Sequence, residues 1–464
     1  MRVFALGAST LVGYPNPKGT DFPRFLELML ADVFPARRFE IINCGITAVN
    51  SHCLLDFTHE VLHYEPDLLV VYAGHNEFIG PYGPTTPFVG LGGDRSLIRA
   101  HMFLQRSRLY HFAKELMFGL SSLLGTKPAT FGLHLATEEI DWTQDSYSRA
   151  VDNYRTNLDE MVTAAAEKGV PVLLSTLVSN LKEFYPLRSE CGGIDGEDGQ
   201  LLAAQVMDLA RRGLHERAQR RILEGLRRSP QCAAAHFEMA RLHHGARRYR
   251  EAKAFFVQAR DLDRVPFRAP TVFNKVVREI SQRHANAIVS DVEAAFAAAT
   301  PDGIIGDELL TDYLHPTIYG HHVLARTLVE DLANSAVSST WGPAQRSSIG
   351  EFEHYRDRLG YSELAAARAR NNLILFLRNM PYRTTPVLIR ERVGELIEVQ
   401  AAVYQQLSAD DRDLFRRSGG LAFLGEALSF AQEVRAIDRP RAHNRHTNRP
   451  RVVYSRASWL LEKM

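Results

Sequence analysis

Along the first 180 residues, short solid apolar runs alternate with longer stretches of helical spacing. Residues 3–6 (Val3, Phe4, Ala5, Leu6) form the first run and read as a buried strand. Asp21 then precedes Phe22, Phe25, Leu26, Met29, Leu30 and Val33, one face of a helix that Pro35 stops. Residues 39–42 and 68–72 make two further strands. Between them Ser51 can cap a helix reaching Leu62. A helix over 147–168, with Val151, Tyr154, Leu158, Met161, Val162 and Ala165 on one face, leads to a fourth strand at 172–177. Repeated strand–helix units predict a parallel sheet with helices on both faces.

Two segments break the alternation. Residues 81–140 open as a Gly/Pro loop and continue as an apolar amphipathic stretch that includes Leu97, Ile98, Met102, Phe103, Leu109, Phe112 and Leu116. That stretch reads as helical core, and its place suggests a lid or acyl-binding wall. Residues 195–263 are helical and self-similar: Ala218 and Ala252, like His215 and Tyr249, stand 34 positions apart. With Met239, Ala240, Phe256 and Ala259 at packing positions, this segment resembles a pair of tetratricopeptide repeats. Afterwards 273–283 reads as helix, 287–289 as strand and 319–332 as a closing helix. The region 338–464 is expected to be helical at 362–379, 387–407 and 420–436, with an Arg-rich tail.

Composition narrows the classes of function. A chain of 464 residues calls for two or three structural units. Fifty-five Lys+Arg against 54 Asp+Glu give no global drive toward nucleic acid or anionic membrane. No run of 18 apolar residues predicts a membrane-spanning helix. Cys44, Cys53, Cys191 and Cys232 show no CxxC spacing and read as reduced, buried thiols of a cytosol-like compartment. Met1 and Arg2 run straight into the first strand, so no leader is expected unless residues upstream are missing.

Chemistry gathers where strands end. Ser9, Gly45 and Asn76 each follow a different predicted strand, and in an open parallel sheet those ends share one crevice. A loop before the closing helix supplies Asp312 and His315. A serine hydroxyl is a weak nucleophile until a base takes its proton, and histidine serves near neutral pH. A carboxylate holds the imidazole in the required tautomer.

Gly7-Ala8-Ser9-Thr10, Asn43-Cys44-Gly45, Gly74-His75-Asn76-Glu77 and Asp312-Tyr313-Leu314-His315-Pro316 resemble, in order, the four blocks of SGNH/GDSL hydrolases. The resemblance covers residues 1–80 and 285–335. It implies a flavodoxin-like three-layer α/β/α sandwich with Ser9 as nucleophile, Asp312 as orienter and His315 as base. It also implies an oxyanion hole made by the Ser9 and Gly45 N–H groups and the Asn76 amide. Ala8 and Glu77 stand where the family usually has Asp, and neither supplies a triad atom. With its repeats the chain is similar to a bacterial subgroup whose members often begin with a membrane segment. This sequence as it stands therefore reads as cytoplasmic, and as membrane-anchored or periplasmic if such a segment precedes it.

Taken alone, Ser9 and Asn76 would read as turn or cap residues. The ordered set is what makes them catalytic candidates, while His75 and Glu77 are assigned no catalytic role. His243-His244 and His321-His322 project to different helix faces and read as surface or packing residues. Gly90-Leu91-Gly92-Gly93 follows no strand and is no dinucleotide loop. The expected arrangement is a hydrolase-like domain (1–194 and 264–337), a repeat insert (195–263) and a C-terminal helical region (338–464). The expected activity is hydrolysis of an ester of a lipid, carbohydrate or small metabolite, small or polymeric, with no metal or organic cofactor. Two rivals are an O-acyltransferase using the same triad and a repeat-based interaction protein with weak catalysis. The insert's concave groove suits a peptide, protein or polymeric partner, and bracing of the domain or dimerisation is an equal reading.

Overall fold

A computed structural model describes residues 1–84, 93–112, 115–116, 139–140, 142–191, 199–378 and 387–417. Five strands, β1 (Arg2–Gly7), β2 (Glu40–Asn43), β3 (Leu68–Tyr72), β4 (Val172–Ser175) and β5 (Ala287–Ser290), form one parallel sheet in the order β2-β1-β3-β4-β5. That is the flavodoxin-like order. β3 and β4 are buried along their whole length and β1 beyond Arg2, which explains their solid apolar runs; the edge strands β2 and β5 are only partly covered.

The short helix α1 (Ser9–Val12) leaves β1 at once and ends at Gly13, whose φ of 84° suits glycine. α2 (Phe22–Val33) follows, its first turn capped by the Asp21 carboxylate accepting the Arg24 N–H at 3.2 Å. α3 (Ser51–Val61) begins at the expected cap residue itself, one position early. Asn50 occupies the cap position, and Ser51 is the first helical residue with its hydroxyl engaged elsewhere. α4 (Arg95–Leu104), α5 (Asp145–Glu167), α10 (Thr271–Arg283), α11 (Val292–Ala298) and α12 (Ile318–Asn334) complete the sandwich with α2 and α3. α2 and α11 pack on α12 over one face of the sheet, and α3 and α10 pack on α5 over the other.

The apolar stretch after β3 departs from its expected place in a helical core. On α4 only Ile98 is buried, while Leu97, Phe103 and Leu104, and beyond them Leu109, Phe112 and Leu116, are exposed. Polar ties hold the helix instead: Arg99 pairs with Asp56 at 2.7 Å and Arg95 donates to Asn157 at 2.8 Å. The rest of that segment, like the expected helix at 420–436 and the Arg-rich tail, lies outside the described residues.

Between β4 and α10 stand two helical hairpins, α6 (Gly199–Arg211) with α7 (His215–Arg228) and α8 (Ala233–Gly245) with α9 (Tyr249–Asp261). Corresponding helices start 34 positions apart. α8 is buried from Ala233 to Ala240. Tyr185, in the connection after β4, donates its hydroxyl to Ala234 O at 3.3 Å and meets the Phe237 ring edge-on at 4.7 Å. A disulfide joins Cys191 to Cys232, the cap of α8, so two of the four thiols expected to be reduced are paired. Their separation of 41 residues carries no motif; only the folding of α8 against the β4 connection brings them together.

Residues 336–361 continue the first unit, where Trp341 packs edge-on against Phe34 and Phe39 at 5.3 and 5.5 Å. A second compact unit comprises, among the described residues, 362–378 with 387–417. Its described part holds α14 (Glu363–Arg378), α15 (Val387–Gln406) and the unexpected α16 (Ala409–Arg417), preceded in chain order by α13 (Phe352–Arg358) of the first unit. Leu364, Ala367, Val403, Leu407 and Phe415 form its core. Among the described residues no helix is long and apolar enough to cross a membrane.

Candidate active site

Ser9 opens α1 immediately beyond β1, and the loop before α12 delivers Asp312 and His315 to it. Asp312 is fully buried; its Oδ1 accepts the backbone N–H groups of Leu314 and His315, both at 2.9 Å. Its Oδ2 lies 2.7 Å from His315 Nδ1, and His315 Nε2 lies 2.7 Å from Ser9 Oγ. A carboxylate can only accept, so Nδ1 carries the proton and Nε2 is left to receive the serine hydroxyl's. The three residues, expected to converge from positions 306 apart in sequence, form a continuous hydrogen-bonded chain.

The three expected oxyanion donors differ in their state. The Ser9 N–H donates to no other group among the described residues. Asn76 donates one amide hydrogen to Val49 O at 2.9 Å, and its second has no partner among the described residues. Gly45 departs from expectation: its N–H donates to Asn43 Oδ1 at 2.8 Å, while Asn43 Nδ2 donates to Leu11 O at 2.6 Å. Asn43 thus ties the second strand-end loop to α1 and occupies the Gly45 donor. Glycine is required there by close approach, since a Cβ would stand 2.7 Å from Leu11 Cβ and 2.9 Å from Val12 N.

Other residues around the triad were given no role by sequence reasoning. The Tyr14 ring packs edge-on against the His315 imidazole at 5.0 Å, and Asn16 donates to Pro316 O at 3.4 Å. Burial pushes the Tyr14 hydroxyl pKa upward, with the Asp312 charge adding to it. Tyr14 follows α1 with no pattern that marks it. Arg268, fully buried, donates to Asn180 O and Phe184 O at 2.8 and 3.0 Å and lies 5.4 Å from the Tyr313 ring. It bolts the exit of the helical hairpins to the loop that carries His315.

The flanking histidines stay neutral. His75 Nδ1 accepts the Ala269 N–H at 3.1 Å, and burial lowers its pKa to about 3, with His315 nearby adding to the effect. His321 is buried with its ring stacked on Phe22, also lowered by burial to about 3. Glu77 is buried as well, and burial raises its carboxyl to about 7 against two hydrogen bonds from Ser51. Among the described residues no group of three or more His, Cys, Asp or Glu is placed to hold a metal ion.

No protein-family model matches the sequence, and no curated protein matches it. Among solved structures it is similar to an acetylxylan esterase from Geobacillus stearothermophilus, at 14% identity and TM-score 0.33 over 73% of this chain and 95% of that one. A lipase/acylhydrolase from Enterococcus faecalis matches at 14% identity and TM-score 0.32 over 71% and 94%. An alpha/beta hydrolase enzyme from the metagenome of Lake Arreo gives the same identity, score and coverage. Likeness at this level carries no weight for substrate or activity.

Proposed function

We propose that the chain is a serine hydrolase of SGNH/GDSL type that cleaves an ester through an acyl-enzyme on Ser9. The observation that carries this is the unbroken chain from Asp312 through His315 to Ser9, with both links at 2.7 Å. His315 Nε2 takes the Ser9 proton as Oγ attacks the carbonyl carbon. Negative charge on the carbonyl oxygen is held by the Ser9 N–H and the second hydrogen of the Asn76 amide, with Gly45 joining if Asn43 releases it. Collapse breaks the ester bond while His315 returns the proton to the leaving alcohol. Water, deprotonated by His315, then frees the acid. An alcohol acceptor in place of water would make the same site an O-acyltransferase.

In this reading residues 1–194 with 264–337 are the catalytic domain and 195–263 a tetratricopeptide-like insert. The Tyr185–Phe237 contact and the Cys191–Cys232 bridge support bracing of the domain by that insert over an open peptide groove. The bridge also favours an oxidising compartment for a protein that acts on small esters.

The test is mass spectrometry after a fluorophosphonate probe. A single adduct on Ser9, lost in Ser9→Ala together with hydrolysis of short aryl esters, is the expected result. An unlabelled Ser9, or a folded Ser9→Ala protein that still turns over, removes the mechanism.

A further inference from the structure

Asn76 can serve the oxyanion only if its second amide hydrogen points into the site. The amide is planar, so the bond its first hydrogen makes to Val49 O at 2.9 Å fixes the direction of the second. The position of the Val49 carbonyl therefore matters. Val49 lies in an irregular turn in which Ala48, not a glycine, holds φ at 66°. Such a turn persists only where its surroundings hold it.

What holds it is Glu77, the residue after Asn76. Its Oε1 accepts the Ser51 N–H at 2.9 Å and its Oε2 accepts the Ser51 hydroxyl at 2.7 Å. On either side of this clasp, Asn50 donates to Pro81 O at 2.6 Å and the Gly80 N–H to Asn76 O at 2.7 Å. Asn157 of α5 backs the clasp by donating to Ser51 Oγ at 2.9 Å. Asn157 Oδ1 in turn accepts from Arg95 of α4. A carboxylate only 4% exposed is costly to bury, and a neutral residue could cap a helix at less cost.

We propose, resting on the Ser9 reading, that Glu77 is a positioning residue for the oxyanion site, holding Ser51 and hence the Val49 carbonyl that aims the Asn76 amide. The two strand-end loops after β2 and β3 then act as one unit, and their junction sets transition-state binding without touching substrate.

The experiment compares wild type, Glu77→Ala, Glu77→Gln and Ser51→Ala on a short aryl ester and on an arylboronic acid, whose tetrahedral adduct with serine fills the oxyanion site. Losing an oxyanion donor outright costs ~100-fold to 1000-fold, so misaiming one in Glu77→Ala should lower kcat by about 10-fold to 100-fold. KM should stay within about threefold, and boronate affinity should fall in parallel with kcat/KM. Glu77→Gln keeps an acceptor for the Ser51 N–H and should recover most of the loss. Folded Glu77→Ala with unchanged kcat, a loss confined to KM, or a fall in kcat with unchanged boronate affinity would each overturn the proposal. If Glu77→Ala does not fold, Ser51→Ala removes only the hydroxyl arm. A parallel loss of kcat and boronate affinity of about 3-fold to 10-fold there would support the proposal, and no loss would overturn it. Wild type that neither binds boronate nor turns over would instead sink the hydrolase reading.

Discussion

Asp312 engages both of its oxygens: one holds the turn that carries His315, the other holds the imidazole itself. Asp312→Asn should keep much of the turn, since an amide oxygen can accept the same two N–H groups. It would favour the wrong imidazole tautomer, so kcat on aryl esters should fall on the order of 10³-fold to 10⁴-fold with little change in melting temperature. A large fall in melting temperature with retained kcat would make Asp312 a structural residue. In the proposed reading, Ser9 and Asn76 were legible in the sequence because each sits in a short block just beyond a strand, and Asp312 and His315 because they share one block in the loop before the closing helix. Tyr14, Asn43 and Glu77 were not. Their roles depend on partners 32 residues away for Asn43 with Leu11 and 26 for Glu77 with Ser51, set by the crossing of loops and by no local spacing.

Among elements, the sheet and its flanking helices were legible because burial on both faces writes itself as solid apolar runs and covering helices as periodic ones. The exposed apolar side of α4 was not, since an apolar residue looks the same in sequence whether a neighbour covers it or not. The disulfide escaped for a related reason: Cys191 and Cys232 meet only through tertiary packing. The 34-residue period announced the hairpins, but which surface they cover was set by Tyr185 and Phe237. Phe237 is 1% exposed, so Phe237→Ala should destabilise the protein by about 3 to 5 kcal/mol. Because the hairpins share this contact with the β4 connection, denaturant unfolding should show the sheet unit and hairpins lost together. A separate early transition for the hairpins, with the sheet unit unchanged, would mark them as an independent module.

For the whole molecule, the buried histidines set acid tolerance. Burial lowers His52 and His322 to about 4 and His75 and His321 to about 3, against 6.5 when unfolded. In each case the unfolded chain binds the proton that the folded chain refuses. Their contribution is therefore present above about pH 6.5 and is lost as the pH falls toward the folded values. Glu77 and Asp263, raised by burial to about 7 and about 6, act in the opposite sense between those values and their unfolded ones. Smaller shifts, up at Asp21, Glu238 and Asp331 and down at His236 and His243, offset one another in part. Four strongly depressed histidines against two strongly raised carboxyls leave acid as the destabilising direction. The urea midpoint should be clearly lower at pH 5.5 than at pH 7.5, and an equal or higher midpoint at pH 5.5 would show that the carboxyls prevail.

In the hydrolase reading proposed above, the nucleophile Ser9 stands just beyond the first strand, and its base His315 arrives 306 residues later. During synthesis Ser9 leaves the ribosome hundreds of residues ahead of anything able to take its proton. β1 also needs both β2 and β3 beside it, and the loop bearing His315 must wait for β4, the hairpins and β5. Ordering contacts so distant in sequence is slow. On that reading the nascent chain would be a built-in proenzyme: its serine would be inert by default, and its reactivity would switch on only when the loop bearing His315 closes onto the assembled sheet.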